Sequence, residues 1–371
     1  MKHPRGFSMV ELMIAITLAL LVTTGVLSVF VGSRAAFQST AGTSALSDGG
    51  RFALNYLQTA VRASGYLACG PVTRTISMLN SGPSPLYYGA GPTGFFQPLS
   101  GFEASNTGVG ATYTLANAAG APSNWTPALD TKLPPASTAV GALVTNNDVL
   151  VVRSSTTGKP TAYVTVPITT GSNNFTINSS NALAAGQLAI ISDCAKSLLF
   201  QVSGTTPSAN TAVIYHAAGG VPGNVTSALG SATVPLDFSQ GSQVTPLSTM
   251  VYYIGTGSDG DNSLFSYEVL PNNTSVINEL VPDIEAMQIL YGWDNTGTLA
   301  VGEYLTADQV PDFTAILSVK IALLSASPPG STLLPALAPT YSLLGTIVTA
   351  PRDTRRRQVF EITVAARNAL N

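Results

Sequence analysis

The chain has 371 residues, room for one large or two modest domains beyond a membrane segment. It is 45% hydrophobic and only 9% charged, with net charge -3, against roughly 25% charged in an ordinary soluble domain. That balance supplies no basic surface for nucleic acid, so no nucleic-acid partner is expected. The two histidines and two cysteines offer little for metal or nucleophile chemistry, so no cofactor is expected either.

The chain opens Met1-Lys-His-Pro-Arg-Gly6 and continues Phe7-Ser-Met-Val-Glu11-Leu-Met-Ile. From Leu12 to Ser33 there is no charge; Lys2 and Arg5 precede this run and Arg34 follows it. About 20 apolar residues span a bilayer as a helix. The positive-inside rule keeps the basic start in the cytoplasm and sends the bulk of the chain outward. A cleaved secretory signal would need a shorter apolar core and a small-x-small site, and Ser33-Arg-Ala35 is a poor one. A plain signal anchor accounts for the length but not for Glu11. An ionisable side chain in a membrane segment costs at least ~2.5 kcal/mol, so by default it has a job.

The string Gly6-Phe7-Ser8-Met9-Val10-Glu11-Leu12 resembles the prepilin (class III) cleavage motif. The resemblance implies that prepilin peptidase cuts after Gly6 and methylates the new amine of Phe7. It also implies that Glu11 pairs with the amine of a neighbouring subunit, so that Phe7 and Glu11 are the subunit-docking residues. In a low-dielectric helix bundle such a pair satisfies both charges and fixes register. A lone glutamate near the membrane interface is the plainer alternative.

No proline interrupts residues 7–64, so a helix of about 58 residues, roughly 85 Å long, is expected. Leu46, Ala53, Leu57, Ala60 and Val61 recur at three- and four-residue steps among Asp48, Arg51 and Arg62, an amphipathic stripe suited to packing under a globular head. Gly25, Gly32, Gly42, Gly49 and Gly50 are weak points of that helix, and the sequence leaves open whether it breaks near Gly25 and Gly32. Residues 71–140 are rich in Gly, Ser, Thr, Asn and Pro and read as long loops with short strands near Ala111–Leu115. Strands are predicted at Val149–Arg153, Gln187–Ser192, Val213–His216 and Met250–Ile254. Two alternating runs follow, Leu317 to Leu323 and Phe360 to Val364, each with one apolar face. Turns are predicted at Pro271–Ser275 and Ser327–Ser331. The fold class expected is α+β: a long N-terminal helix, transmembrane then amphipathic, and a mostly antiparallel β head.

Cys69 and Cys194 are the only possible internal pair, and a disulfide is their natural state if the head is periplasmic; two separate thiols are the alternative. Over 125 positions the bond would contribute about 4–5 kcal/mol in the chain-entropy model. Asp259-Gly-Asp261-Asn262-Ser263 has the alternating oxygens of a Ca²⁺ loop but lacks the downstream glutamate, and D-G-D-N is also good hairpin chemistry. Asp259 and Asp261 are therefore weak metal candidates only. Arg355, Arg356 and Arg357 before the last strand read as a solvated edge that blocks aberrant pairing. His216 reads as a packed or surface imidazole rather than a base. With no G-x-S-x-G, P-loop or paired-His motif, no enzyme is expected.

Gly50-Arg51-Phe52-Ala-Leu54, then Arg62-Ala-Ser-Gly65-Tyr66 and Cys69, resemble the PilW family of minor pilins. So do Asn147-Asp148-Val149-Leu150-Val151-Val152-Arg153, Ile190-Ile191-Ser192-Asp193-Cys194, Tyr252-Tyr253-Ile254-Gly255 and Met287-Gln288-Ile289-Leu290-Tyr291-Gly292. The run from Arg355 to Phe360 and on to Ala366-Arg367-Asn368 completes the set, while Pro282 and Pro311 depart from the pattern. The resemblance implies four segments: a leader at 1–6, a transmembrane polymerisation helix at 7–33, its amphipathic continuation at 34–68, and a periplasmic head at 69–371 carrying the loop-rich 71–140 stretch. It implies partners among other minor and major pilins, prepilin peptidase and the inner-membrane assembly platform, with a role in priming pilus assembly, adhesion and twitching motility. A minor pseudopilin of a type II secretion system and a signal-anchored periplasmic binding protein are the alternatives.

Overall fold

In the computed structural model the described residues are 8–66, 69, 75–80, 97–129, 139–155, 161–220, 222–230, 236–269, 275–335 and 337–366. The expected turn at Pro271–Ser275, the leader and most of the 71–96 stretch lie outside them.

One helix runs from Met9 to Ala63, 55 residues and about 82 Å, without a break. The helix does not break at Gly25 or Gly32. In the membrane half the hydroxyls of Thr17, Thr23 and Thr24 donate back to the carbonyls of Met13, Ala19 and Leu20 at 3.1, 2.7 and 2.6 Å. These hydroxyls are thus served inside the helix, as lipid demands. In the lower-hydropathy half Gly42 and Gly50 are contact points rather than weak points: a Cβ on Gly42 would meet Ser331 Oγ, and one on Gly50 would meet the Phe360 ring. The helix ends where Gly65, in the left-handed conformation (φ 73°), donates its N–H to Arg153 O at 2.9 Å.

Two main sheets share the core beneath the helix. The first is ordered Thr75–Ser77, Ser197–Gln201, Leu188–Ser192, Gln243–Thr256, Val149–Ser155, Leu99–Ala104 and Trp125–Thr126, with Asn262–Val269 and Ser275–Val281 continuing from the long Gln243–Thr256 strand. The second is ordered Glu303–Leu305, Ile284–Trp293, Ile316–Ala326 and Arg357–Ala365, all antiparallel. Among described pairings, Thr75–Ser77 with Ser197–Gln201 and Thr346–Thr349 with Thr112–Thr114 are parallel. The predicted short strand near Ala111–Leu115 is thus Thr112–Thr114.

Ala53, Leu54, Leu57 and Val61 of the helix enter one core with Leu150, Val152, Tyr252, Ile254, Met287, Ile289, Val319, Ile321 and Leu323. Burying a side chain of this size contributes about 1.5–3 kcal/mol. The helix is therefore part of the head for its second half and not part of it for its first. The Ile316–Ala326 strand, expected to have one buried face, has two: Ala322 and Leu324 face a second cluster with Tyr113, Leu343 and Val348. The Thr340–Leu343 and Thr346–Thr349 hairpin supplies that cover, which alternation in a single strand cannot reveal. A separate lobe encloses Ala162, Phe175, Ile177, Ile191, Phe200, Ile214 and Phe238. His216 is buried there, stacked on Phe175 at 6.0 Å, and burial holds its pKa below the ordinary histidine value.

Candidate assembly site

The apolar helix is exposed along its first half. Its most apolar 18-residue window has mean hydropathy 2.5 and none of it is buried. Met9, Leu21, Val29 and Phe30 are 85%, 71%, 69% and 63% exposed. An apolar surface of this length on a helix with no covering element has a lipid or protein environment as its only low-energy setting. Gly6 and Phe7, the cleavage and docking candidates, lie outside the described residues. Glu11 sits in the first helical turn, exposed, and its Oε2 accepts from Ser8 N–H at 3.2 Å. That bond is half of a capping box, so Glu11 satisfies an otherwise orphaned donor at the helix start. The same position places a carboxylate at the positive end of the helix, one turn from residue 7.

Cys69 and Cys194 are joined as a disulfide. It ties the end of the helix to the turn after the Leu188–Ser192 strand, in the separate lobe.

Asp259, Asp261 and Asp283 bring carboxylate oxygens within 4.8 Å of one another. Arg355 lies across them, its Nη1 3.0 Å from Asp283 Oδ1 and its Nη2 on Asp261. The two sequence candidates thus belong to a charge-paired turn into which a guanidinium is already built. The three arginines correct the expectation of a solvated edge. Arg357 is buried, with Nε and Nη2 on the two Glu285 oxygens at 2.6 and 2.9 Å and Nη2 on Asp353 Oδ2 at 2.6 Å. Arg356 reaches the helix, donating to Thr43 Oγ1 at 3.2 Å. The reason is tertiary: this strand borders the helix and the Ile284–Trp293 strand carries Glu285, so Arg355 and Arg357 face carboxylates instead of water while Arg356 stays exposed beside the helix.

Sequence reasoning missed a polar seam between the sheets. Asn147 Oδ1 accepts from Met287 N–H at 2.8 Å. Asp148 accepts from Ile289 N–H at 2.7 Å and from Ala104 N–H at 3.1 Å. Glu103 lies alongside, accepting from Thr107 Oγ1 at 2.9 Å. Burial pushes the Glu103 carboxyl up to about 7, and burial plus the neighbouring Glu103 raises Asp148 well above the usual carboxylate range. The only signal in the sequence was Asn147-Asp148 directly before an apolar strand. A groove of about 480 Å³ also lies beside the helix, lined by Phe52, Tyr56, Ala60, Met250, Tyr252 and Glu268.

Residues 251–368 match the family model described as Type IV Pilus-assembly protein W. Residues 1–27 match the Prokaryotic N-terminal methylation motif. Among solved structures, a type IV-like pilin from Thermus thermophilus is similar at 17% identity, covering 33% of this chain and 69% of that one, with a TM-score of 0.20. No curated protein matches.

Proposed function

We infer that this type IV pilin-like chain, with its PilW region and prepilin methylation motif, is a non-catalytic minor pilin that primes pilus assembly. The observation that carries the reading is the division of one unbroken helix: an uncovered apolar half headed by Glu11, and a half locked under a β head. In this reading prepilin peptidase cuts after Gly6 and methylates Phe7. The subunit waits in the inner membrane with its head in the periplasm, contacting the assembly platform. It then enters the fibre when Glu11 exchanges its local Ser8 bond for the amine of a neighbouring pilin. The exchange is favourable because an ammonium brings a full opposite charge to the carboxylate where the Ser8 N–H brings only a dipole, and that attraction grows away from water. The head selects other minor and major pilins, and through the fibre the subunit supports adhesion and twitching motility.

The test is the intact mass and N-terminal sequence of the protein from envelope fractions, together with a Glu11→Ala variant. A chain beginning at methylated Phe7, whose Glu11→Ala form is processed but lost from sheared fibres, is the expected result. A chain beginning at Met1 in cells with active prepilin peptidase would overturn the reading. Loss of protein secretion with intact fibres, on deletion, would move the subunit to a secretion pseudopilus.

A further inference from the structure

The chain carries no charged residue from Ile321 to Pro351, one of several long uncharged stretches after the N-terminal one. Its first part is the strand that runs down the helix toward the membrane half. Ser325 Oγ donates to Leu46 O at 3.2 Å, and further along Ser331 packs on Gly42, the first buried residue of the helix. The loop that follows is therefore at the end of the head nearest the apolar helix. There Leu333, Leu334 and Leu337 are 89%, 57% and 80% exposed.

This loop is held in place while its leucines point away. Arg352 Nε donates to Pro335 O at 3.1 Å, Gly330 N–H to Thr354 Oγ1 at 2.9 Å and Thr332 N–H to Thr354 O at 3.1 Å. A loop anchored at Gly330, Thr332 and Pro335 whose large apolar side chains are exposed has an unmet surface. Arg352 and Arg356 are exposed around it, and Arg34 lies on the helix below. Apolar side chains rimmed by arginine suit the boundary of a bilayer with anionic headgroups. From Ser33, the end of the uncharged run, to Gly42 the helix rises about 13 Å, roughly twice a headgroup layer of about 5–7 Å, so the leucines have to reach back toward the bilayer from the level of Gly42.

We propose that Leu333, Leu334 and Leu337 insert into the outer leaflet of the membrane that the helix spans, with Arg352 and Arg356 on anionic phospholipid headgroups, fixing the rotation of the head before assembly. The proposal rests on the reading of the Met9–Ala63 helix as a membrane span. A second attachment point converts a head swivelling on one helix into a subunit with one face presented.

Added-tryptophan reporters in the full chain, reconstituted in phosphatidylethanolamine–phosphatidylglycerol vesicles containing brominated lipid, test it. Emission is compared with the parent protein, whose Trp125 and Trp293 give the background. The added emission of Leu337→Trp should be mostly lost to bromolipid, as should that of Phe30→Trp in the helix. Val225→Trp, exposed in the lobe tied to the far end of the helix, should keep its emission. Quenching of Phe30→Trp without Leu337→Trp overturns the loop proposal and leaves the span standing. Quenching of neither overturns both. Protection of Leu337→Trp only when a second pilin subunit is added overturns the lipid assignment in favour of a protein neighbour. Leu333→Trp repeats the measurement should Leu337→Trp fold poorly.

Discussion

Asp148 replaces a strand where two sheets meet. Its two oxygens take N–H groups from Ala104 and Ile289, which belong to different sheets, and Asn147 takes a third from Met287. A carboxylate that accepts backbone donors is usually held low, yet burial and Glu103 beside it outweigh those bonds. Glu103 rises from 4.5 to about 7 with burial as its largest cause. The folded state therefore binds this proton more tightly than the unfolded chain does. Stability contributed by the neutral carboxyl is fully present below pH 4.5 and is lost as pH rises through about 7. Glu103→Gln removes the loss. At pH 8 the variant should be more stable than the parent by on the order of 2–3 kcal/mol, and at pH 4.5 the two should nearly coincide. Urea unfolding at the two pH values reads this directly; a difference that does not change with pH would show that Glu103 is ionised without penalty.

At the scale of the helix, glycine has opposite meanings in the two halves. Gly25 has no atom within 4 Å of where a Cβ would sit, whereas at Gly50 that Cβ would overlap the Phe360 ring. Gly50→Val should cost the head about 1–3 kcal/mol by overpacking, although it removes an intrinsically poor helix former. Gly25→Ala should leave the unfolding midpoint of the head unchanged. Thermal or urea unfolding of both variants checks the pair; equal effects would mean that the helix and head unfold as one unit along the whole 55 residues. The arginine run makes the same point about context. Three successive charges read as a solvated edge, but a strand beside a helix and opposite Glu285 places two of them in ion pairs.

For the whole molecule, the Cys69–Cys194 bond links the helix end to a lobe that shares little of the core beneath the helix. Its 125-residue separation makes the unfolded chain the state it restricts most. The Cys69→Ser/Cys194→Ser double variant should lose about 2–5 kcal/mol, seen as a lower denaturant midpoint. A midpoint that does not move would mean that the lobe is held by packing alone.

What the sequence by itself determined were the features set by local chemistry. An uncharged run of bilayer length, a carboxylate near its start, a 3.6-residue apolar stripe and β-branched alternation each need only neighbouring residues to be read. The helix and five of the thirteen described strands from Leu188 onward were legible for that reason, and the cysteine pairing because the chain has only two cysteines. Only the tertiary structure decided which faces of a strand are covered, where the three arginines find partners, that Gly42 and Gly50 are contacts and not hinges, and that Asn147 and Asp148 join two sheets. Those outcomes depend on residues tens to hundreds of positions apart arriving at one place, Asp148 with Ile289 and Gly50 with Phe360 among them. No periodicity or local propensity carries that information, because the free energy that selects it comes from burial and hydrogen bonding between segments.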